Sequence, residues 1–260
     1  MGKPGEGARS PGGQNWRPAV LRRGGFSPRT VVDVGVGKGT PQLYEAFPNA
    51  VQILIEPLSE HEPRLRDILR DYEGQYFLTA IGASDGRAVI NVEPRRVSMS
   101  SLLERTDSTS TGFEAEKREI PVATLDGLMK KHNFQPPFGL KIDAEGFEYQ
   151  AIQGAPAFLR KTQFVIAEVS VGKRFKESYL FSEFTELMSR NGFFLWDILQ
   201  MGGNKFVDAV FRRADSRLVG QLQQQLRAQQ AQLQQMQDSK TWKLLDGVNR
   251  ARLKILGRRA

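Results

Sequence analysis

Short β-branched apolar runs recur along this chain, and segments with apolar residues every three or four positions lie between many of them. The first run is Val31-Val32-Asp33-Val34-Gly35, opening at Thr30. Val51 to Ile55, Tyr76 to Ile81, Ile120 to Val122, Phe138 to Ile142 and Phe164 to Val169 follow, and Phe193 to Trp196 and Lys205 to Phe211 close the series. A short continuous apolar run stopped by turn residues has no face left for water and reads as a buried strand. Ala88 to Val92 reads as a hairpin or edge strand after a turn at Gly82 to Gly86. The intervening helices are predicted at Tyr44 to Phe47, Pro63 to Tyr72, Thr124 to Lys131, Phe147 to Phe158 and Tyr179 to Arg190. Leu65, Ile68, Leu69 and Tyr72 share one face of the second, and Thr124 supplies the cap of the third with Asp126 in its first turn. Alternating strands and helices predict an α/β domain, its sheet mostly parallel and covered on both faces, with an antiparallel strand supplied by the final pair.

Ligands of such sheets sit beyond the carboxyl ends of the strands, so strand ends carry most of the functional information. Asp33-Val34-Gly35-Val36-Gly37-Lys38-Gly39 follows the first strand. Alternate glycines let the backbone turn sharply and approach a ligand closely. The alternative is a glycine-rich turn that holds nothing. Glu56 ends the second strand, where an acid can accept hydrogen bonds from both hydroxyls of a ribose. The spacing is neither G-x-G-x-x-G nor a P-loop, which disfavours phosphate-centred cofactors. Residues 93–118 are polar and irregular and predict a long loop of the kind that often binds ligands.

At this point the sequence resembles the class I methyltransferases that use S-adenosylmethionine, and among them the FkbM family. The matching stretches are Val32 to Gly39, Ile55-Glu56-Pro57, Ile81 to Gly86, Ser100-Ser101-Leu102, Val122 to Asp126, and Leu140-Lys141-Ile142-Asp143-Ala144-Glu145-Gly146-Phe147-Glu148, together spanning roughly residues 27–213. The resemblance implies a Rossmann-like sheet and a methyltransferase with S-adenosylmethionine as cofactor. It implies that Asp33, Gly35, Val36, Gly37 and Gly39 shape the pocket for the methionine portion. It places Glu56, followed by Pro57, at the ribose, Ile81 and Gly82 near the adenine, and Asp143 beside the transferring methyl. The family's habit makes a hydroxyl of a sugar or glycan-related molecule the expected acceptor.

Methyl transfer asks the protein for alignment and charge placement, because the cofactor supplies the reactive bond. A hydroxyl acceptor also benefits from a general base. Asp143, Glu145 and Glu168 are the candidates, with Lys141 to orient an acid or lower the acceptor's pKa. For Lys141 and Glu148 a surface ion pair or a helix-start acid is the competing reading. His61 and His132 lie away from strand ends and read as ordinary surface residues. There is no cysteine, hence no disulfide framework and no thiolate metal site. No metal is expected, although Asp143 and Glu145 with water would suit magnesium.

Charge decides the partners. The 260 residues carry a net charge of +8. Residues 1–29 hold six Lys and Arg against Glu6, and residues 240–260 hold seven against Asp246, so the body between them is net negative. Nucleic acid is thereby disfavoured as a partner. Residues 1–28, rich in Gly, Pro and Arg, predict a flexible basic arm before a methyltransferase-like domain over 29–214. Val219, Leu222, Leu226, Gln229, Leu233, Met236 and Lys240 alternate in steps of three and four. This Gln-rich segment, 215–240, is either a coiled coil that joins copies into a homo-oligomer or a helix that packs on its own domain. Residues 241–260 form a basic amphipathic pattern anchored by Trp242, suited to an anionic membrane surface or to a protein. Ser239 to Leu244 resembles tails that follow coiled coils in bacterial glycosyltransferases. No apolar stretch reaches the roughly 18 residues that cross a bilayer, and the N-terminus lacks a signal peptide's apolar core. The expected location is the cytoplasm, at the inner face of a membrane where the tail binds one. The competing function is a methyltransferase-fold scaffold that works through its coiled coil and basic tail.

Overall fold

A computed structural model describes residues 16–93, 97, 100–106, 115–172, 174–203, 205–214, 228–232 and 234–236. In chain order the elements are α1 (Pro18–Arg23), β1 (Thr30–Val34), α2 (Pro41–Ala46), β2 (Val51–Ile55), α3 (Glu62–Ile68), β3 (Gly74–Phe77), β4 (Ala80–Ile81), β5 (Gly86–Val92), β6 (Glu116–Ala123), α4 (Leu125–His132), β7 (Phe138–Ile142), α5 (Glu148–Gln153), α6 (Pro156–Leu159), β8 (Thr162–Ser170), α7 (Phe181–Arg190), β9 (Phe193–Met201) and β10 (Phe206–Arg213). Seven strands form one sheet in the order β3-β2-β1-β7-β8-β10-β9. The five from β3 to β8 pair in parallel, and β10 runs antiparallel to both neighbours. The α/β architecture expected from the alternation is therefore present, with its antiparallel strand inside β9 rather than at the rim.

The strands that read as continuous apolar runs are buried on both faces, as parallel strands between two helical layers must be. One face packs Val32, Val34, Leu140, Ile142, Val165 and Ala167 against α4 to α7. The other packs Val31, Leu54, Phe164, Ile166 and Val210 against α1, α2 and α3. Thr124 caps α4 as expected, its side chain accepting from the Gly127 amide at 3.0 Å.

Three expectations change. Residues 16–28 of the arm predicted over 1–28 are structured, because Trp16 and Leu21 are buried in the second core and α1 begins at Pro18, a residue suited to a helix start. The run Tyr76 to Ile81 is divided between two sheets: β3 edges the main sheet, while β4 joins β6 and β5 in a three-stranded sheet over Leu58 and Ile90. The helix predicted over Phe147 to Phe158 is two short helices. It breaks where Gly154 lies so close to the Gly82 carbonyl that a β-carbon would come within 2.0 Å of it. Residues 214–260 form a second unit, of which 214, 228–232 and 234–236 are described, the last two stretches helical. Most of the expected coiled coil and all of the basic segment 241–260 lie outside the described residues. Among the described residues no helix is long and apolar enough to cross a membrane.

The order of strands reverses between β1 and β7, with β2 on one side and β8 on the other. Such a switch point opens a crevice at the carboxyl ends of the strands. Its floor is very tight. The Asp143 amide donates to the Val34 carbonyl at 3.0 Å and the Gly35 amide to the Ile55 carbonyl at 2.9 Å. Gly35 has φ of +74°, and a β-carbon there would sit 1.8 Å from the Asp143 carbonyl oxygen. Gly35→Ala is expected to lose at least about 2 kcal/mol from combined overpacking and backbone strain, read from urea denaturation.

Candidate active site

Register puts three ionisable groups together at that crevice. Asp33 on β1 pairs with Lys141 on β7, so both side chains leave the same face of the sheet, and Asp143 follows two residues later on that face. The Lys141 ammonium lies 3.5 Å from Asp33 Oδ1 and 3.4 Å from Asp143 Oδ2, and Lys141 is only 3% exposed. Burial opposes its charge, but Asp33, Asp143, Asp208 and Glu168 together outweigh that and hold the ammonium more firmly protonated than a free lysine. Asp33 is fully buried, and its other oxygen accepts from the Tyr44 hydroxyl at 2.5 Å. The surface ion pair considered for Lys141 is thus a buried one.

The glycine loop curls over the end of β1. Gly37 has φ of +50°, and a β-carbon added there would meet no atom within 4 Å. Its amide donates to Glu56 Oε2 at 2.9 Å, while Glu56 Oε1 accepts from the Leu58 amide at 3.2 Å. Glu56 is 6% exposed, and burial raises its pKa against the pull of these hydrogen bonds. Val36 points into the second core, and Gly39 is held close to Ile68. The loop's shape therefore comes from Gly35 and Gly39 packing on protein, while Gly37 is the position with open space beside it. Pro57 is half-buried next to Glu56.

After β7 the chain makes a second tight turn. Glu145 has φ of +47° and Gly146 +100°. The Glu148 carboxylate ties this turn: Oε1 accepts from the Ala144 and Gly146 amides at 2.9 and 3.1 Å, and Oε2 from the Tyr179 hydroxyl at 2.6 Å. Glu148 is 1% exposed, a buried pin rather than a surface acid. Glu145 is clamped from two remote segments, with Arg105 at 2.8 Å and Arg174 at 2.9 Å from Oε2. The Ser101 hydroxyl donates to its carbonyl at 2.6 Å. Burial first, then Asp143, push the Glu145 carboxyl up to about 7, with both arginines opposing. Glu168 on β8 also bonds Arg174, and burial with Asp143 and Glu145 raises its pKa.

Ile81 and Gly82, expected near an adenine, are both buried in protein. Ile81 belongs to the first core, and Gly82 packs against Val122 and Phe147; exposure begins at Ala83. His61 and His132 are half-buried rather than surface residues, the latter edge-on to Phe77. Among the described residues no three His, Cys, Asp or Glu side chains are grouped to hold a metal ion. Sequence reasoning missed Tyr44, Arg105, Arg174, Tyr179 and Asp208. Asp208 had a readable signal, a lone acid in the apolar run Phe206 to Phe211.

Lys141→Met leaves Asp33 buried without its cation and is expected to cost about 3–5 kcal/mol, measured by chemical denaturation. An unchanged midpoint would mean that the ion pair does not hold β1 to β7.

The family model of the methyltransferase FkbM domain matches residues 33–195. No curated protein matches the sequence. Among solved structures, the chain is similar to a 1,6-didemethyltoxoflavin-N1-methyltransferase of Burkholderia thailandensis, with 12% identity over 76% of both chains and a TM-score of 0.41. It is similar to magnesium protoporphyrin IX methyltransferase of Synechocystis, with 10% identity over 76% of both chains and a TM-score of 0.43. Fibrillarin of Aeropyrum pernix gives 12% identity over 75% of this chain and 72% of that one, with a TM-score of 0.42. With the family's domain matched from the first site aspartate to the strand beyond α7, the chain belongs to the FkbM methyltransferases, a family that uses S-adenosylmethionine.

Proposed function

We propose that the chain is an S-adenosylmethionine-dependent O-methyltransferase acting on a hydroxyl of a sugar or glycan-related acceptor. The carrying observation is Glu56 beside Gly37. Each Glu56 oxygen accepts one backbone hydrogen bond, and a carboxylate oxygen has room for a second. Two remaining acceptor positions suit the two vicinal hydroxyls of a ribose. The open space at Gly37 is a cradle that a side chain would fill. Asp143, partly exposed at the end of β7, suits the ammonium of the methionine portion.

When bound, S-adenosylmethionine supplies a methyl carbon on a positively charged sulfur, which keeps the carbon–sulfur electron pair as the methyl leaves. The chain's own work is positional. Gly35 and Gly39 fix the loop, Glu56 fixes the ribose, and Lys141 holds the Asp33 and Asp143 carboxylates in place. Glu148 and the two arginines hold the 143–148 turn and so set Asp143.

Several observations favour a polyhydroxylated acceptor. Asp143, Glu145, Glu168 and Asp208 lie at one end of the sheet with Lys141, Arg105 and Arg174 among them. Carboxylates accept hydrogen bonds from hydroxyls and repel anionic groups. The raised pKa values of Glu145 and Asp208 also suit proton transfer from a hydroxyl near neutral pH.

Isothermal calorimetry with S-adenosylmethionine tests the cofactor half. The wild type is expected to bind, and Glu56→Ala to lose at least about tenfold in affinity through two missing charge-assisted hydrogen bonds. Gly37→Val is expected to lose as much by filling the cradle. Unchanged affinity in both variants would refute this placement of the cofactor.

A further inference from the structure

Asp208 is the one acid of this end of the sheet to which the sequence motifs give no role. It lies on β10 directly opposite Glu168 of β8, and Gln200 of β9 stands on its other side. Ile142 pairs with Ala167, so Asp143, one residue on, stands beside Glu168. Asp143, Glu168 and Asp208 therefore form a row across three neighbouring strands on the face that also carries Lys141. Asp208 is 2% exposed, yet its carboxylate accepts no hydrogen bond and has no ion-pair contact among the described residues.

The other acids of the row are engaged. Asp143 contacts Lys141, and Glu168 is bonded to Arg174. Glu145 is held by two arginines. A buried carboxylate left without a donor is costly to the fold, and such a cost at the carboxyl ends of the strands is a mark of a functional group.

We propose that Asp208 is the general base of methyl transfer, its carboxylate receiving the hydrogen bond and then the proton of the acceptor hydroxyl. The inference rests on the O-methyltransferase reading above. The acceptor's O–H bond breaks, the proton passes to an Asp208 oxygen, and the electron pair left on the acceptor oxygen forms the bond to the methyl carbon. Glu168 stands next to the hydroxyl's position, and Asp143 beyond it faces the methionine portion of the cofactor. The groups that face Asp208 are Lys141 and Asp143 from β7 and Glu168 from β8, with Gln200 from β9. Burial first and then Asp143 push its carboxyl up to about 6, and Lys141 opposes. At neutral pH the group is thus ionised and able to take a proton.

The test compares wild type, Asp208→Asn and Asp208→Glu. Calorimetry with S-adenosylmethionine is expected to give affinities within twofold of one another. Transfer of labelled methyl from S-adenosylmethionine into an extract of the source cells, used as the acceptor pool, is expected to fall at least 100-fold in Asp208→Asn and to recover in part in Asp208→Glu. Wild-type transfer is expected to drop as pH falls through about 6, where Asp208 takes up its proton. Thermal melting supplies a readout independent of activity. An acid whose pKa is raised by folding lowers stability wherever it is ionised in the fold. Asp208→Asn is therefore expected to melt higher than wild type above about pH 6, with the gain gone below about pH 4. A structural carboxylate would instead lower the melting temperature when replaced. Asp208→Asn that transfers methyl like wild type, or melts lower at pH 8, overturns the assignment of the base. A wild type that neither binds S-adenosylmethionine nor transfers its methyl overturns the O-methyltransferase reading, and the base assignment with it.

Discussion

The ammonium of Lys141, buried between Asp33 and Asp143, holds the site together. Removing an ammonium from water costs several kcal/mol even after relaxation, and here the opposing charge must come from the two strand tips that flank the switch point. The ion pair therefore ties β1 to β7 by side chains just where Gly35 and the Asp143 backbone are already in contact. Its geometry propagates outward. Asp33 bonds Tyr44 and so fixes the start of α2, and the Tyr44 hydroxyl accepts from the Thr40 amide at the end of the glycine loop. Asp143 leads into a turn that Glu148, Tyr179, Arg105 and Arg174 hold from three other segments.

Much of this was readable in the order of residues. The β-branched runs became strands because burial on both faces leaves no polar alternation to obscure them. Glu56 and the glycine loop were visible because both follow a strand directly. Lys141 also carried a signal, a single charge between Leu140 and Ile142, but whether it faces water or a partner depends on the register with Asp33. That register is a tertiary fact. Arg105 and Arg174 meet Glu145 across 40 and 29 residues of chain, and no local period reports such a meeting. The division of Tyr76 to Ile81 between two sheets was hidden for the same reason, since strand partners lie far away in sequence. In the N-terminal segment, Gly, Pro and Arg outweighed the sparse Trp16 and Leu21, whose burial requires the finished sheet.

The arrangement separates tasks by strand. β1 and β2 end in the groups suited to a cofactor's ribose and methionine portions, Glu56 and the glycine loop. β8 and β10 carry Glu168 and Asp208, suited to an acceptor, with Asp143 after β7 between them and the cofactor groups. Lys141 stands between the two sets and is electrostatically coupled to Glu56 on one side and to Glu168 and Asp208 on the other. A fold that concentrates so many carboxylates around few cations gives up stability at its working end, a pattern expected where a site is organised for chemistry rather than for packing.

In the proposed complex, S-adenosylmethionine sits over the ends of β1 and β2 with its ribose on Glu56. A crystal structure of the chain with S-adenosylhomocysteine tests it most directly. Both ribose hydroxyls are expected within hydrogen-bond distance of the two Glu56 oxygens, with the amino-acid portion against Gly37 and Asp143. A ligand bound elsewhere, or one whose ribose leaves Glu56 untouched, would contradict it.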